Sequence, residues 1–436
     1  MANIIKCSLA GVLVSCYIFP FEFTFLPGVN TKMMMAAVSL CILALRLAVG
    51  RSAKIDKSFF VLSIVALLVS LICYTAVTIN GTNDYTYATY IVSMWVWLGG
   101  AYAAVSVLKM VHGYLSVRLV CNYLITICVI QCVTALLIDA SPVVKSFVNH
   151  YISGFDFVGV DRLDGKRLYG IGAALDVAGT RFCTVLIMIA AVTTNLYKTG
   201  STKYLSLYLA AFIFIAVVGN MIARTTTVGV ILAIIYWLAV PGPNNAKGKV
   251  LLWMVILLIC FIPYLVHLYN TSPEFKAHIM FAFEGFFSLA ESGEWDVTSN
   301  NNLKNMVVFP ESLKTWLIGD GYMENPRVTN PYYVGPAYSG YYMGTDIGYL
   351  RFIFYFGLPG LLLFMYFFYK SARICVDRFG SYKLMFWFIL IVNYVIWIKV
   401  ATDIFVIFAL FLCISQEDSD EYEKTYENPI SDPLDI

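Results

Sequence analysis

Apolar residues run along this chain in long unbroken blocks. They do not alternate with polar residues at the period of a strand, and polar residues gather in the gaps between blocks. A bilayer core of about 30 Å takes about 20 apolar residues per helix. That ruler marks about twelve spans, near residues 4–20, 32–50, 58–79, 87–108, 114–138, 180–197, 203–220, 223–241, 249–269, 346–369, 382–399 and 401–415. The first and last are short and the final two nearly touch, so eleven is the alternative count. Two polar segments interrupt the series, about 140–179 and about 270–345. The pattern predicts an all-α polytopic membrane protein, with a transmembrane domain over 1–415 and an acidic, solvated tail over 416–436. The first block, Ile4 to Pro20, carries Lys6 and has no small-residue cleavage site at its end, so it reads as a retained span.

Composition agrees: 60% of residues are hydrophobic and 13% charged, which excludes a soluble protein. Against 29 Lys and Arg stand 27 Asp and Glu, for a formal charge of +2, so no basic field is present to hold nucleic acid. The 11 cysteines fall almost all inside apolar runs and read as small buried side chains; neither CxxC nor Cys/His spacing suggests a metal.

Lys and Arg beside spans stay on the cytoplasmic side. One alternate set of loops holds Arg51, Lys54, Lys57, Lys109, Arg118, Lys198, Lys203, Lys247, Lys249, Lys370, Arg373, Arg378 and Lys383, while the short loops of the other set hold little beyond Lys32, Arg224 and Lys399. Both termini are therefore expected in the cytoplasm and both long segments outside, where the protein has its only extended polar surface.

Ionisable groups at or inside spans need a reason, and on the outer side these are Arg181, Arg224 and Arg351. Arg351 is placed about five residues into its predicted helix, or about 8 Å along the axis. Asp176 and Asp346 each precede an Arg-Phe pair, Arg181-Phe182 and Arg351-Phe352, by the same spacing. Five residues on a helix turn about 140°, so each Asp is expected to cap its helix rather than meet its own arginine, which leaves the arginines free for a ligand. Arg224, in Ala-Arg-Thr-Thr-Thr, reads either as a phosphate contact or as a side chain snorkelling to the interface.

The first outer segment offers Arg162, Arg167 and Tyr169 as saccharide or pyrophosphate contacts, since Arg forks onto phosphate and Tyr gives a flat face with a hydroxyl. The second holds Glu284, Trp295, Leu317-Ile-Gly-Asp-Gly-Tyr322 and the tyrosines Tyr332, Tyr333, Tyr338, Tyr341 and Tyr342. Such a loop suits sugar rings, and an interfacial aromatic belt is the plainer reading. Of the four histidines, His278 and His150 read as solvated loop residues, with general-base chemistry as the sharper alternative.

Arg167-Leu-Tyr-Gly, Arg224 in its threonine stretch, Leu317 to Tyr322, and Thr345 to Arg351 followed by Gly357-Leu-Pro-Gly360 together resemble the bacterial O-antigen or capsule repeat-unit polymerases of the Wzy type. The resemblance implies a GT-C-like membrane glycosyltransferase of the bacterial inner membrane, active at the periplasmic face, needing neither cofactor nor metal. Its partners would be undecaprenyl-pyrophosphate-linked oligosaccharides as donor and acceptor, with a chain-length regulator and a flippase alongside. Arg351, Arg224, Arg181, Asp346 and His278 are then the catalytic candidates. Arg167, Arg162, Tyr169, Asp176, Tyr322 and Tyr349 are the substrate-binding ones. An O-antigen ligase and, from a different class, a lipid-linked oligosaccharide flippase remain the alternatives.

Overall fold

The computed structural model describes residues 2–49, 56–153, 167–198, 204–240, 256, 259, 261–330, 332–338 and 340–415. Arg162, residues 249–255, 257, 258 and 260 of the predicted span 249–269, and the acidic tail lie outside the described residues. The long helices are α1 (Ala2–Ile18), α2 (Thr31–Ala48), α3 (Lys57–Asn80), α4 (Tyr90–His112) and α5 (Val117–Ala140). After the short α6 (Pro142–Tyr151) come α7 (Leu175–Lys198), α8 (Leu205–Ile222) and α9 (Thr226–Ala239). The second polar segment carries short helices, α10 (Pro273–Ala282), α11 (Glu284–Ser292), α12 (Thr298–Asn305), α13 (Leu313–Leu317) and α14 (Pro326–Thr329). Then follow α15 (Gly348–Arg378), α16 (Lys383–Ile396) and α17 (Phe405–Leu412). Among the described residues seven helices are long and apolar enough to cross a membrane, and the chain is a polytopic membrane protein.

Caps set the ends. Asn30, Asp56 and Ser116 accept backbone N–H bonds at the starts of α2, α3 and α5, and left-handed Gly81 and Gly113 close α3 and α4. Outward faces stay apolar, with Ile64 and Leu71 on α3 exposed as lipid contact requires.

Both polar segments gather at one end, Arg167 of the first lying over the Phe281 ring of the second at 4.8 Å. There the two-residue strands Glu22–Phe23 and Ile152–Ser153 pair antiparallel, and Asp84 after α3 accepts from the backbone of Met323 and Glu324 at 2.7 and 2.8 Å. At the opposite end Arg378 pairs with Asp56, and His112 meets Tyr123 at 2.8 Å.

Helix α15 is broken at Phe356 and Gly357, the latter at φ 70°, just before Pro359. Proline supplies no N–H to the carbonyl of Tyr355 four residues back. The segment after α13 fills the gap: Asp320 donates its backbone N–H to Phe354 O at 2.6 Å, and Gly321 to Tyr355 O at 3.2 Å. The two glycine motifs of the sequence, Leu317 to Tyr322 and Gly357 to Gly360, are thus halves of one joint. A Cβ on Gly319 would sit 2.5 Å from the Tyr355 carbonyl oxygen, and one on Gly357 2.6 Å from the Leu317 carbonyl. Neither close approach tolerates a side chain. Asn80 and Thr82 fasten the same segment, donating to Gly319 O at 3.1 Å and Gly321 O at 2.8 Å.

Candidate functional site

Arg351 stands in the first turn of α15, three residues after Gly348 and so about 4.5 Å along the axis, shallower than the sequence suggests. Gly348 lets this turn press on the chain after α16, since a Cβ there would meet Val400 O at 2.5 Å. The arginine side chain is 6% exposed. Its Nη2 donates to Met323 O at 3.1 Å and to Glu324 Oε1 at 3.2 Å, and the guanidinium carbon lies 3.4 Å from the centre of the Tyr341 ring.

Asp346 overturns its expected role. Ile347, with extended backbone, occupies the N-cap position, so Asp346 lies outside the helix and the 140° argument does not apply. Its Oδ1 reaches Arg351 Nη1 at 3.8 Å, and Arg351 is therefore held by carboxylates rather than left free. Burial raises the pKa of Glu324, with Asp84 and Asp346 adding to it and Arg351 opposing. Burial raises that of Asp346 too, again against Arg351.

Arg224 occupies the tight turn between α8 and α9, beside threonines that bond inward: Thr225 to Asp176 at 2.5 Å, Thr226 to Gly219 O at 3.1 Å and Thr227 to Asn220 at 2.7 Å. The arginine does not snorkel; it pairs with Glu284 and lies over the Phe281 ring at 4.4 Å. Arg167 flanks the same ring at 4.8 Å. Burial opposes ionisation of Glu284, but bonds from Thr298 and Arg224 hold its pKa below the usual carboxylate value. Burial, together with the neighbouring Arg224, lowers Arg167, with Asp176 opposing. Asp176 is the second residue of α7 and not its cap; its carboxylate accepts from Thr225 and meets Lys399 Nζ at 3.3 Å. Through Lys399 and Asp176, which both act electrostatically on Asp346, the Arg224 and Arg351 clusters join into one strip.

Arg181 is buried, donates Nη1 to Val177 O at 2.8 Å and lies over Phe19 at 5.6 Å. It shares the electrostatic influence of Asp403 with Lys32. All four arginines have a common peculiarity. Nε of Arg167, Arg181, Arg224 and Arg351 is buried without a hydrogen-bond partner among the described residues.

His278 corrects the sequence reading, for it is no solvated loop residue. It is 3% exposed on α10, and its Nε2 stands 3.1 Å from Oδ2 of Asp139 at the end of α5. Three residues along the same helix is Phe281, so the His278–Asp139 pair and the Arg167–Arg224 pair share one face of α10.

The tyrosines divide. Tyr322 packs edge-on to Tyr333 at 5.9 Å and tilted against Tyr342 at 5.2 Å, and Tyr338 meets Tyr342 edge-on at 5.2 Å. Tyr169 packs with Ile138, Val148 and Ile152 and donates its hydroxyl to Asn149 Oδ1 at 3.0 Å. Tyr349 donates to Tyr394 O at 2.9 Å and packs edge-on to Trp397.

Sequence reasoning passed over Asp403, Asp139 and Asp84. The first two were findable by the rule that singled out Arg351, since both are charges at the edge of apolar blocks; Asp84 sits in a short connector with nothing to mark it. No family model matches the chain, and neither a curated protein nor a solved structure shows significant similarity to it.

Proposed function

We propose that this protein is a bacterial inner-membrane glycosyltransferase with about twelve spans in a GT-C-like arrangement, both termini cytoplasmic. It polymerises undecaprenyl-pyrophosphate-linked repeat units at the periplasmic face, in O-antigen or capsule synthesis. The observation that carries the reading is the set of four arginines at the end with the long segments, Arg181 and Arg351 buried and Arg167 and Arg224 half-buried, each keeping a buried Nε without a partner among the described residues. A guanidinium removed from water needs acceptors for its donors, and a polyprenyl pyrophosphate brings several at the depth of the headgroups.

In the reaction, a hydroxyl of the acceptor glycan attacks the anomeric carbon of the donor sugar. The bond from that carbon to the phosphate oxygen breaks, and its electron pair leaves with undecaprenyl pyrophosphate. Arg351 and Arg224 stabilise the charge gathering there, and a single such donor contributes about 2.7–4 kcal/mol in comparable sites. The hydroxyl proton passes to a carboxylate or imidazole, for which Glu324 and Asp346, both beside Arg351, and His278 are the candidates. The Tyr322 group lines the path of the glycan.

Deleting the gene and resolving the surface glycan on a gel tests this. A single repeat unit left on the core is the expected result, and an unchanged ladder sinks the reading. The His278–Asp139 pair favours a second one, a ligase that transfers finished glycan to lipid A-core with His278 as base. Deletion would then leave the core bare.

A further inference from the structure

A cavity of about 260 Å³ opens beside Arg224, walled also by Thr227, Glu284, Trp295, Asn300 and Lys399. Trp295 is 53% exposed, yet its ring is fixed. Gly285 lies under it, where a Cβ would meet ring atoms at 2.5 Å, and Phe286 abuts it edge-on at 5.1 Å. An indole held flat with its remaining surface open is a platform for the C–H face of a sugar ring. The space is below the roughly 300–1,000 Å³ of drug-sized sites, which suits one ring and not a chain.

The polar wall has a second character. Glu284 already accepts from the N–H and hydroxyl of Thr298 and from Arg224, so little of its capacity remains. Among the described residues Arg224 retains a buried Nε without a partner, and Lys399 makes one ion pair, with Asp176. The wall sets two cations, Arg224 and Lys399, against one carboxylate whose oxygens are already engaged, its other polar groups being hydroxyls and an amide that can donate, which suits an anion.

We propose that this cavity takes one sugar ring bearing a phosphate on its anomeric oxygen, the ring on Trp295 and the phosphate oxygens on Arg224 and Lys399. In the polymerisation this is the donor sugar at the pyrophosphate, so the assignment rests on the reading of Arg224 as a phosphate contact.

Saturation-transfer NMR on the full-length protein in detergent tests it, with glucose 1-phosphate, galactose 1-phosphate and N-acetylglucosamine 1-phosphate as probes. At least one should bind, with its free sugar and inorganic phosphate each at least about tenfold weaker. Trp295→Ala should weaken that probe roughly threefold to tenfold and leave inorganic phosphate unchanged. Gly285→Ala, which tilts the ring without removing it, should act in the same direction. The assignment is overturned if none of the three binds, if inorganic phosphate competes as well as the sugar phosphates, or if both variants bind as the parent does. Chain extension in cells is read separately. Ladder loss on deletion without sugar-phosphate binding removes only this cavity's role; binding by a protein whose deletion leaves the ladder intact removes the polymerase and keeps the cavity.

Discussion

Arg351 and Glu324 are joined across the break between the second long segment and α15, Nη2 to Oε1, at 3.2 Å. The glutamate is carried to that point by Asp84, which fixes the backbone of residues 323 and 324 from the end of α3. A buried guanidinium thus depends on three distant parts of the chain for its position.

Arg351→Ala should lower chain extension by about 10²–10³ at unchanged protein level in the membrane. Arg351→Lys should recover only part of this, because one ammonium cannot reach Met323 O and Glu324 together while presenting a free donor. The measurement is ladder length against expressed protein in a complemented deletion strain. Full-length polymer from the alanine variant removes Arg351 from the site.

Glu324 has its pKa raised by burial. For a raised carboxyl the stabilising contribution is complete below the unfolded value and is lost as pH climbs through the folded one. Glu324→Gln fixes the neutral form, so its melting temperature relative to the parent should rise between pH 4 and pH 7. Glu284, with its lowered value, has the opposite sign: its contribution is present at neutral pH and lost as pH falls through the folded value. Glu284→Gln should therefore lose most, relative to the parent, at neutral pH. Parallel melting curves for either variant and the parent across this range contradict the assignment.

The His278–Asp139 pair makes a kinetic prediction. His278→Ala should cost about 10²–10⁴ in rate if the imidazole accepts the hydroxyl proton. Asp139→Asn keeps the shape but no longer supports the imidazolium, so it should move the pH–rate profile while the melting temperature holds. A purely structural pair would move the melting temperature and leave the profile in place.

Gly319→Ala places a methyl against the backbone of Tyr355 and Phe356 at a residue with φ 86°. The left-handed backbone alone costs about 1–2 kcal/mol, and the contact adds to it. The second long segment should come loose from α15. Limited proteolysis within residues 305–347 should quicken while the protein remains inserted, and activity should fall with it.

The seven long apolar helices were legible because a bilayer imposes one length and one polarity on every crossing helix. The individual arginines were legible for the same reason, a charge being conspicuous in an apolar block. Their partners were not. Glu284 meets Arg224 across 60 positions and Asp139 meets His278 across 139, and no local spacing carries such pairings. Asp346 misled because ideal helical geometry was applied to a residue that stands just before the helix. Tyr169 misled because a polar-looking loop folded its ring into a small core of its own.

The joint between Gly319 and Gly357 has a mechanical consequence. Carbonyls of α15 are capped by amides of the neighbouring segment, so that segment and the first turns of the helix form a single rigid lever. A load on the Tyr322 group would be carried, through a few covalent bonds and two amides, to the backbone one turn from Arg351. Displacement of the aromatic group and aim of the guanidinium are thereby geared together.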